Sequence, residues 1–217
     1  MSQRQLTDAE QQRKQRYEQL SLHLEKQGYR KKEFTIGLVQ ANVMAIFIML
    51  PFMVGLGLLY SRFNLISPEK EVIIALPMMA LFLAVLLLLL VLHELIHGLT
   101  WGLFAPSHFR AISFGMIWRA LTPYCTCSEP LKRWQYALGG AMPTLILGVG
   151  AGILSTVLRL PWLLFLAQLM LLGGGGDCYI LLKIARYRPK KPGVLLYDHP
   201  YECGFVAFEP TELSIRN

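Results

Sequence analysis

Long apolar stretches separated by short polar segments dominate the hydropathy pattern of this chain. A helix needs about 20 mostly apolar residues to cross the hydrocarbon core of a bilayer. Four stretches meet that length, and they run roughly from Thr35 to Tyr60, Val72 to Phe104, Tyr136 to Leu158 and Pro161 to Leu182. Only Arg159 and its neighbours divide the last two. We therefore predict a tight helical hairpin there, with Pro161 in the first turn of the fourth helix.

The segments outside these stretches predict smaller elements. Leu6–Gln27 is polar and basic, and it is expected to form a helix in the cytoplasm or on the membrane surface. From Ile112 to Trp118 apolar residues recur with a period of two, which indicates a short strand and a hairpin lying against the membrane. Past Pro189 the chain predicts a small extended tail, interrupted at Asp198-His199-Pro200.

Together these elements define the expected fold class: an all-α membrane protein with about four transmembrane helices, a short membrane-associated β-hairpin and a small extended C-terminal tail. Residues 1–34 are the basic N-terminal helix, residues 35–187 the membrane-embedded core and residues 188–217 the C-terminal tail. Four spans put both termini on one side, and basic flanks place that side in the cytoplasm. We expect a multi-pass protein of a bacterial or archaeal cell membrane.

Composition and charge agree with a membrane location. Of the 217 residues 54% are hydrophobic and only 16% are charged, and the mean hydropathy of +0.42 is too high for an ordinary soluble domain. The net charge of +7 comes largely from basic clusters within residues 4–32 and 183–191, which flank the spans. We therefore attribute the charge to membrane topology and exclude nucleic acid as a partner.

Four acidic or basic side chains lie inside the predicted spans, namely His93, Glu94, His97 and Asp177. Each such group costs about 2.5 to 3.5 kcal/mol in a bilayer, so it is usually paired, faces a cavity or binds a ligand. The order His-Glu-Leu-Ile-His puts the two imidazoles on one helix face, where both can bind one metal ion. Glu94 is turned about a quarter of a circle away, as a general base beside the metal requires. The alternative is a chance match at a hydrated helix end.

Asp177 is the candidate for a third ligand, because catalytic zinc usually has three protein ligands. The second and fourth spans run in the same direction, which places Asp177 and the histidines at similar depth in the cytoplasmic half of the bilayer. Glycines 173–176 would let the helices approach closely. Alternatively, Asp177 is a polar residue of helix packing. Cys178 is then either another ligand, a redox control on the zinc, or a small buried hydrophobe.

Three further features are assigned to ordinary roles. Cys125-Thr126-Cys127 lacks the two-residue gap of zinc knuckles and is expected to be a loop. His108 and His199 each stand in a loop context, and both are expected to be solvated or to cap a turn. The four cysteines are too sparse for a disulfide framework, so we expect mostly free thiols.

On these residues the sequence resembles the site-2-protease-like intramembrane zinc metallopeptidases, and within them a smaller family of membrane zincin peptidases. The resemblance covers about Leu92 to Leu182, including the segment from Pro123-Tyr124-Cys125 to Trp134 and the following Gly139-Gly140-Ala141-Met142-Pro143. It extends to the tail at Asp198-His199-Pro200 and Gly204-Phe205. In that superfamily the HExxH helix supplies two zinc ligands and a later membrane helix supplies an aspartate. The resemblance implies the same roles for His93, His97 and Asp177.

We therefore expect an intramembrane zinc endopeptidase in which Glu94 activates water and residues 35–187 form the metalloprotease core. Its partners would be the lipid bilayer and a membrane protein or peptide substrate, unwound where it is cut because a helix protects its backbone. Two alternatives remain open. One is a membrane zinc-binding or transport protein without proteolytic activity, and the other is a non-catalytic membrane partner that has kept the fold.

Overall fold

The structure is a computed structural model that describes residues 7–64, 76–117 and 122–211. Its helices are α1 (Asp8–Lys26), α2 (Leu38–Phe63), α3 (Leu76–Phe104), α4 (Arg133–Pro143), α5 (Ala151–Leu158), α6 (Pro161–Gly173) and α7 (Gly175–Arg186), with a π-helix (Thr144–Gly150) between α4 and α5. Its strands are β1 (Tyr29–Thr35), β2 (Ile112–Ile117), β3 (Thr122–Cys127), β4 (Leu131–Lys132), β5 (Leu195–Asp198) and β6 (Gly204–Pro210). Leu6, residues 72–75 and Trp118, which belong to predicted elements, lie outside the described residues.

Three helical stretches in the described part of the chain are long and apolar enough to cross a membrane. They are Val39–Phe63, Met78–Phe104 and Arg133–Leu158. The pair α6 and α7 passes the same test together, but the two helices are bent by 46° and count as a fourth span only if they form one broken span. Large apolar side chains point outward from these helices, as lipid contact requires; Val39 is 77% exposed and Leu103 is 67% exposed. These features indicate a membrane protein.

Local sequence signals explain where several helices begin and end. Thr7 and Glu10 form a capping box at the start of α1, satisfying backbone N–H groups that have no partner within the helix. At the end of α5, Arg159 adopts a left-handed conformation with φ of +57°. Pro161 then opens α6 in the first turn, where a missing N–H costs nothing. This confirms the predicted helical hairpin.

The segment predicted to be an extended tail belongs to a four-stranded antiparallel sheet with the order β1-β6-β5-β4. β6 pairs with β1 from Tyr29↔Pro210 to Thr35↔Gly204, and β5 pairs with β4 at Leu131↔Leu196. The all-α class was therefore too narrow, and the protein is mostly helical with small antiparallel sheets. Local periodicity missed this sheet because the partners in two of its three pairings, β1 with β6 and β4 with β5, lie far apart in the chain.

Both faces of β6 are buried, which fixes the position of the sheet. Successive side chains of a strand point to opposite faces. Phe205 and Ala207 join the core that contains Trp101 of α3 and Tyr136 of α4. Residues 206 and 208 pack instead against Tyr17 and Leu24 of α1. The sheet thus lies between α1 on one side and the ends of the apolar helices on the other.

The predicted hairpin is present as β2 and β3, which pair from Ile112↔Cys127 to Ile117↔Thr122. The ring of Phe114 in β2 lies against Gly98 of α3. On the other side, Arg13 of α1 donates through Nη1 to the hydroxyl of Tyr124 and through Nε to the carbonyl of Pro200 at 2.9 Å. The hairpin is therefore held between α3 and α1.

Candidate metal centre

α3 carries His93 and His97 one turn apart on the same face. Their ring centroids are 4.9 Å apart, and the residues are only 7% and 3% exposed. Side chains four residues apart on a helix lie one above the other, so this arrangement follows from the sequence spacing. Two buried imidazoles side by side need polar partners, since an unsatisfied buried polar group is costly.

Asp177 faces both imidazoles from the first turn of α7. Its Oδ2 atom is 3.1 Å from Nε2 of His93 and 3.4 Å from Nε2 of His97. The sequence placed Asp177 within a continuous span, whereas the structure breaks the helix just before it, at Gly174. A new helix therefore starts beside the carboxylate, and the partial positive charge of a helix N-terminus favours an anionic group there.

The close approach of α7 depends on the residue at position 175. Gly175 lies against α2, and a Cβ atom there would be 2.5 Å from Cβ and 2.7 Å from Cα of Ala45. Those distances are shorter than van der Waals contact, so a side chain at 175 would push α7 outward. Asp177 follows two residues later. The absence of a side chain at position 175 therefore lets α7 lie close enough to α2 to place the Asp177 carboxylate near the two histidines.

The three side chains fit a zinc ion. Each offers one ligand atom, and these atoms all lie within 4.8 Å of one another. Zinc bonds of 2.0 to 2.1 Å in a tetrahedron would separate the ligand atoms by about 3.3 Å, close to the 3.1 Å and 3.4 Å from Oδ2 of Asp177 to the two Nε2 atoms. The side chain of Asp177 is 28% exposed, so the buried pair of histidines is reachable from the aspartate side.

α4 fixes the orientation of His97. The Nδ1 atom of His97 donates to the carbonyl oxygen of Gly139 at 2.9 Å. Because that carbonyl can only accept, Nδ1 carries the proton and Nε2 is left with the lone pair that a metal needs. On the other side Trp101 stacks on the imidazole, with ring centroids 5.0 Å apart and planes 16° apart. The indole Nε1 of Trp101 in turn donates to the carbonyl oxygen of Tyr136 at 3.1 Å.

Glu94 is half-buried next to the histidine pair and contacts the hairpin. The backbone N–H of Cys125 in β3 faces the Glu94 carboxylate. Cys125 and Cys127 lie in β3, so the expectation that Cys125-Thr126-Cys127 forms an ordinary loop was wrong. That expectation considered only the spacing of the two thiols and not the pairing of their backbone with β2.

The cysteines are poorly suited to bind the metal. Burial raises the pKa of Cys125, and burial raises that of Cys127 to about 12, so neither thiol is a ready source of thiolate. The thiol of Cys178 packs against an apolar cluster of α2 and α6. Within the described residues, the group able to hold a metal consists of two histidines and an aspartate, without Cys178.

Sequence reasoning missed two residues close to the centre, Tyr136 and Asp198. The hydroxyl of Tyr136 donates to Oδ1 of Asp198 at 2.5 Å, and the Tyr136 ring stacks on Trp101. Asp198 was noted as an interruption of the tail and as part of the resembling segment Asp198-His199-Pro200, but it was given no role at the site. Nothing in the local sequence pointed to this pair, because the two residues are far apart in the chain and meet only through the sheet.

His108 and His199, the two loop histidines that the sequence singled out, lie outside the cluster. His199 is buried, with 7% of its surface exposed, and its Nδ1 accepts from the backbone N–H of Glu202 at 3.0 Å. His199 therefore caps a turn, which was one of the two expectations for it, and it is not solvated. His108 is exposed at the start of a short 3-10 helix that spans His108–Ala111.

Residues 86–191 match the family described as "Putative zincin peptidase". The matched segment is slightly less than half of the chain, and it contains His93, Glu94, His97 and Asp177. The similarity to zincins supports a metallopeptidase and implies zinc as its cofactor. α1, α2 and the strands β1, β5 and β6 lie outside the matched residues. Neither the comparison with curated proteins nor that with solved structures gave a match.

Proposed function

We propose that this protein is an intramembrane zinc endopeptidase of the site-2-protease-like type, which cuts a membrane-associated protein at the cytoplasmic side of the bilayer. One observation carries the proposal. His93 and His97 on an apolar span converge with Asp177 of another helix at metal-ligand spacing, and Glu94 stands beside them. Ionisable groups in such spans are costly, and shared binding of one cation accounts for their position.

The sheet supports four membrane crossings. β1 precedes α2 and β6 follows α7, yet the two strands pair along their full length and must lie on one side of the membrane. The number of crossings between them is then even. β4 and β5 also pair, so the number of crossings between them, from α4 through α7, must be even as well. Arg133–Leu158 is one of these crossings. The bent pair α6 and α7 therefore counts as one further span in our proposal, with both termini in the cytoplasm.

In this proposal His93, His97 and Asp177 hold the zinc ion. When bound, zinc supplies a Lewis acid that polarises the scissile carbonyl and lowers the pKa of water to about 7. Glu94 takes a proton from the attacking water and later delivers it to the leaving amine. The amide of Cys125 keeps the Glu94 carboxylate on the metal side of α3, and the carbonyl of Gly139 keeps His97 in the required tautomer.

The hairpin offers a place for an unwound substrate. In the described part of the chain β2 pairs only with β3, which leaves the other edge of β2 open. Phe114 and Met116 of β2 are 53% and 39% exposed. An extended apolar segment could add to that edge through backbone hydrogen bonds, with its side chains beside these two residues. β3 lies between β2 and Glu94, so a segment on the open edge of β2 would lie about 10 Å from β3 and would anchor the substrate away from the general base.

The decisive experiment measures metal and turnover together. Wild type, Glu94→Gln, His93→Ala and Asp177→Ala are purified in detergent, and zinc content is measured by mass spectrometry alongside hydrolysis of fluorescein-labelled casein. We expect wild type to bind one zinc per chain and to cut casein. Glu94→Gln should keep its zinc and lose turnover, while the other two variants should lose both.

The alternatives predict different results from the same variants. A zinc carrier would keep its flux in Glu94→Gln when zinc uptake is measured in proteoliposomes. A non-catalytic partner would bind no stoichiometric zinc. Unchanged zinc content in Asp177→Ala would remove the third ligand and contradict the proposal. If the variants behave as expected, the inactive Glu94→Gln protein can be used to capture the natural substrate from solubilised membranes.

A further inference from the structure

Asp198 joins three elements beside the metal centre. It is the last residue of β5, and its carboxylate reaches between β3 and α4. Oδ1 accepts a hydrogen bond from the hydroxyl of Tyr136 at 2.5 Å, and Oδ2 accepts one from the backbone N–H of Cys127 at 2.7 Å. Both oxygens of one half-buried carboxylate thus tie the hairpin to α4.

Through β3, Asp198 is connected to the general base. The N–H groups of residues i and i+2 point to the same side of a strand. The amides of Cys125 and Cys127 therefore both point away from β2, one toward Glu94 and the other toward Asp198. A shift of β3 at Cys127 would move the Cys125 amide as well, because both belong to one short, regular strand.

Through α4, Asp198 is connected to a metal ligand. Tyr136 stacks on Trp101 at 5.5 Å, and Trp101 stacks on His97 at 5.0 Å. One turn further along α4, the carbonyl of Gly139 accepts from His97. The bond between Tyr136 and Asp198 therefore fixes the rotation of the helix that orients this imidazole.

We propose that Asp198 is a positioning residue of the peptidase site, which aligns Glu94 through β3 and His97 through α4. This rests on the proposed function. The hydrogen bonds of Asp198 go to Tyr136 and Cys127 and not to the metal ligands, and Asp198 lies outside the segment that matches the zincin family. The zincin-like segment thus depends on a strand from the end of the chain for its final geometry.

The same sheet offers a matched control. Glu209 of β6 is a buried carboxylate, 7% exposed, and like Asp198 it accepts from a tyrosine hydroxyl, that of Tyr187, at 2.5 Å. Its second partner is Lys32, whose Nζ is 3.0 Å from Oε2. None of these residues contacts Glu94 or the histidines. Glu209→Gln therefore removes a buried charge without loosening the site.

The test compares Asp198→Ala, Asp198→Asn, Tyr136→Phe and Glu209→Gln with wild type, all as full-length protein in detergent. Hydrogen exchange is followed on peptides that contain residues 122–128, and the visible spectrum of the cobalt-substituted protein reports the ligand field at the metal. Zinc content, kcat and KM are measured on fluorescein-labelled casein. The first two readouts need no turnover, so they remain informative if wild type does not cut casein.

We expect the amides of Cys125 and Cys127 to exchange faster in Asp198→Ala and the cobalt bands to shift. Loss of a group that orients metal ligands typically costs 10- to 100-fold in activity, so kcat should fall by about that factor with KM within about twofold. The kcat values of Asp198→Asn and Tyr136→Phe should lie between those of wild type and Asp198→Ala, because each removes one of the two hydrogen bonds of Asp198. Glu209→Gln should match wild type in every site readout.

Two results would overturn the inference. One is exchange at Cys125 and a cobalt spectrum that are unchanged in Asp198→Ala. The other is an effect of Asp198→Ala no larger than that of Glu209→Gln, which would reduce Asp198 to a structural role. Wild type that binds zinc but cuts nothing would instead contradict the proposed function, while exchange and cobalt spectra still decide whether Asp198 positions the site. If Asp198→Ala does not fold, Asp198→Asn and Tyr136→Phe answer the same question.

Discussion

Replacing Gly139 by Ala tests whether α4 sets the geometry of the metal centre. A Cβ at this position would lie 2.8 Å from Cε2 of Trp101 and closer still to Nε1 and Cδ1. Carbon atoms in contact are about 3.5 to 4.0 Å apart, so the indole must move by about 1 Å or more. That shift breaks its bond to the carbonyl of Tyr136 and disturbs the stack on His97.

The expected cost combines three effects. Overpacking in a well-packed core costs about 1 to 3 kcal/mol, and a buried N–H left without its acceptor costs about 1 to 3 kcal/mol. Alanine in place of glycine returns about 1 kcal/mol of helix propensity. A net loss of about 3 kcal/mol follows, which lowers Tm by about 6 to 12 °C for a chain of this size. Zinc affinity should fall by about 10- to 100-fold, because His97 loses its orientation.

The measurements are thermal unfolding in detergent, followed by tryptophan fluorescence, and zinc titration against a competing chelator. Gly140→Ala is the matched control, since it lies on the same helix and a Cβ there meets only Cδ2 of Leu181 at 3.3 Å. A flexible leucine can yield by a few tenths of an ångström, so Gly140→Ala should be neutral or slightly stabilising. Equal Tm and equal zinc affinity in the two variants would refute the reasoning.

Three further predictions concern individual side chains. Cys178→Ala should retain zinc in metal analysis, because Cys178 is not part of the ligand cluster; loss of zinc would make it a ligand. Burial raises the pKa of Asp198 to about 6, so the stability it confers is present below pH 4 and is lost as pH rises through 6. Melting curves of Asp198→Asn should lack this pH-dependent loss of about 3 kcal/mol. Tyr124→Phe removes the hydroxyl that Arg13 contacts and should speed hydrogen exchange in β3; unchanged exchange would contradict the clamping role of α1.

The sequence was informative wherever the signal is local. Apolar stretches predicted the helices, and Arg159 with Pro161 predicted the turn between α5 and α6, because length, hydropathy and proline act over neighbouring residues. The spacing of His93 and His97 predicted their common face for the same reason. Asp177 was singled out by elimination, since few acidic residues lie in the spans, and the structure places it beside both histidines.

What the sequence did not reveal depends on long-range pairing. β1 pairs with β6, and no periodicity within Tyr29–Thr35 identifies a partner near the other end of the chain. The contacts of Asp198 with Tyr136 and Cys127 follow from that sheet, so they were equally hidden. The break before Asp177 was missed because Gly173–Gly176 were interpreted as a packing surface, whereas glycines also allow a helix to bend.

Strand pairing between the two ends of the chain governs when the site can exist. Thr35 pairs with Gly204, so β1 leaves the ribosome about 170 residues before its partner strand, which corresponds to roughly 10 to 30 s of translation. The HExxH helix is made within the first half of that interval, whereas the strand that bears Asp198 is made only at its end. The complete centre would then form only after β5 and β6 have been made, well after its two histidines.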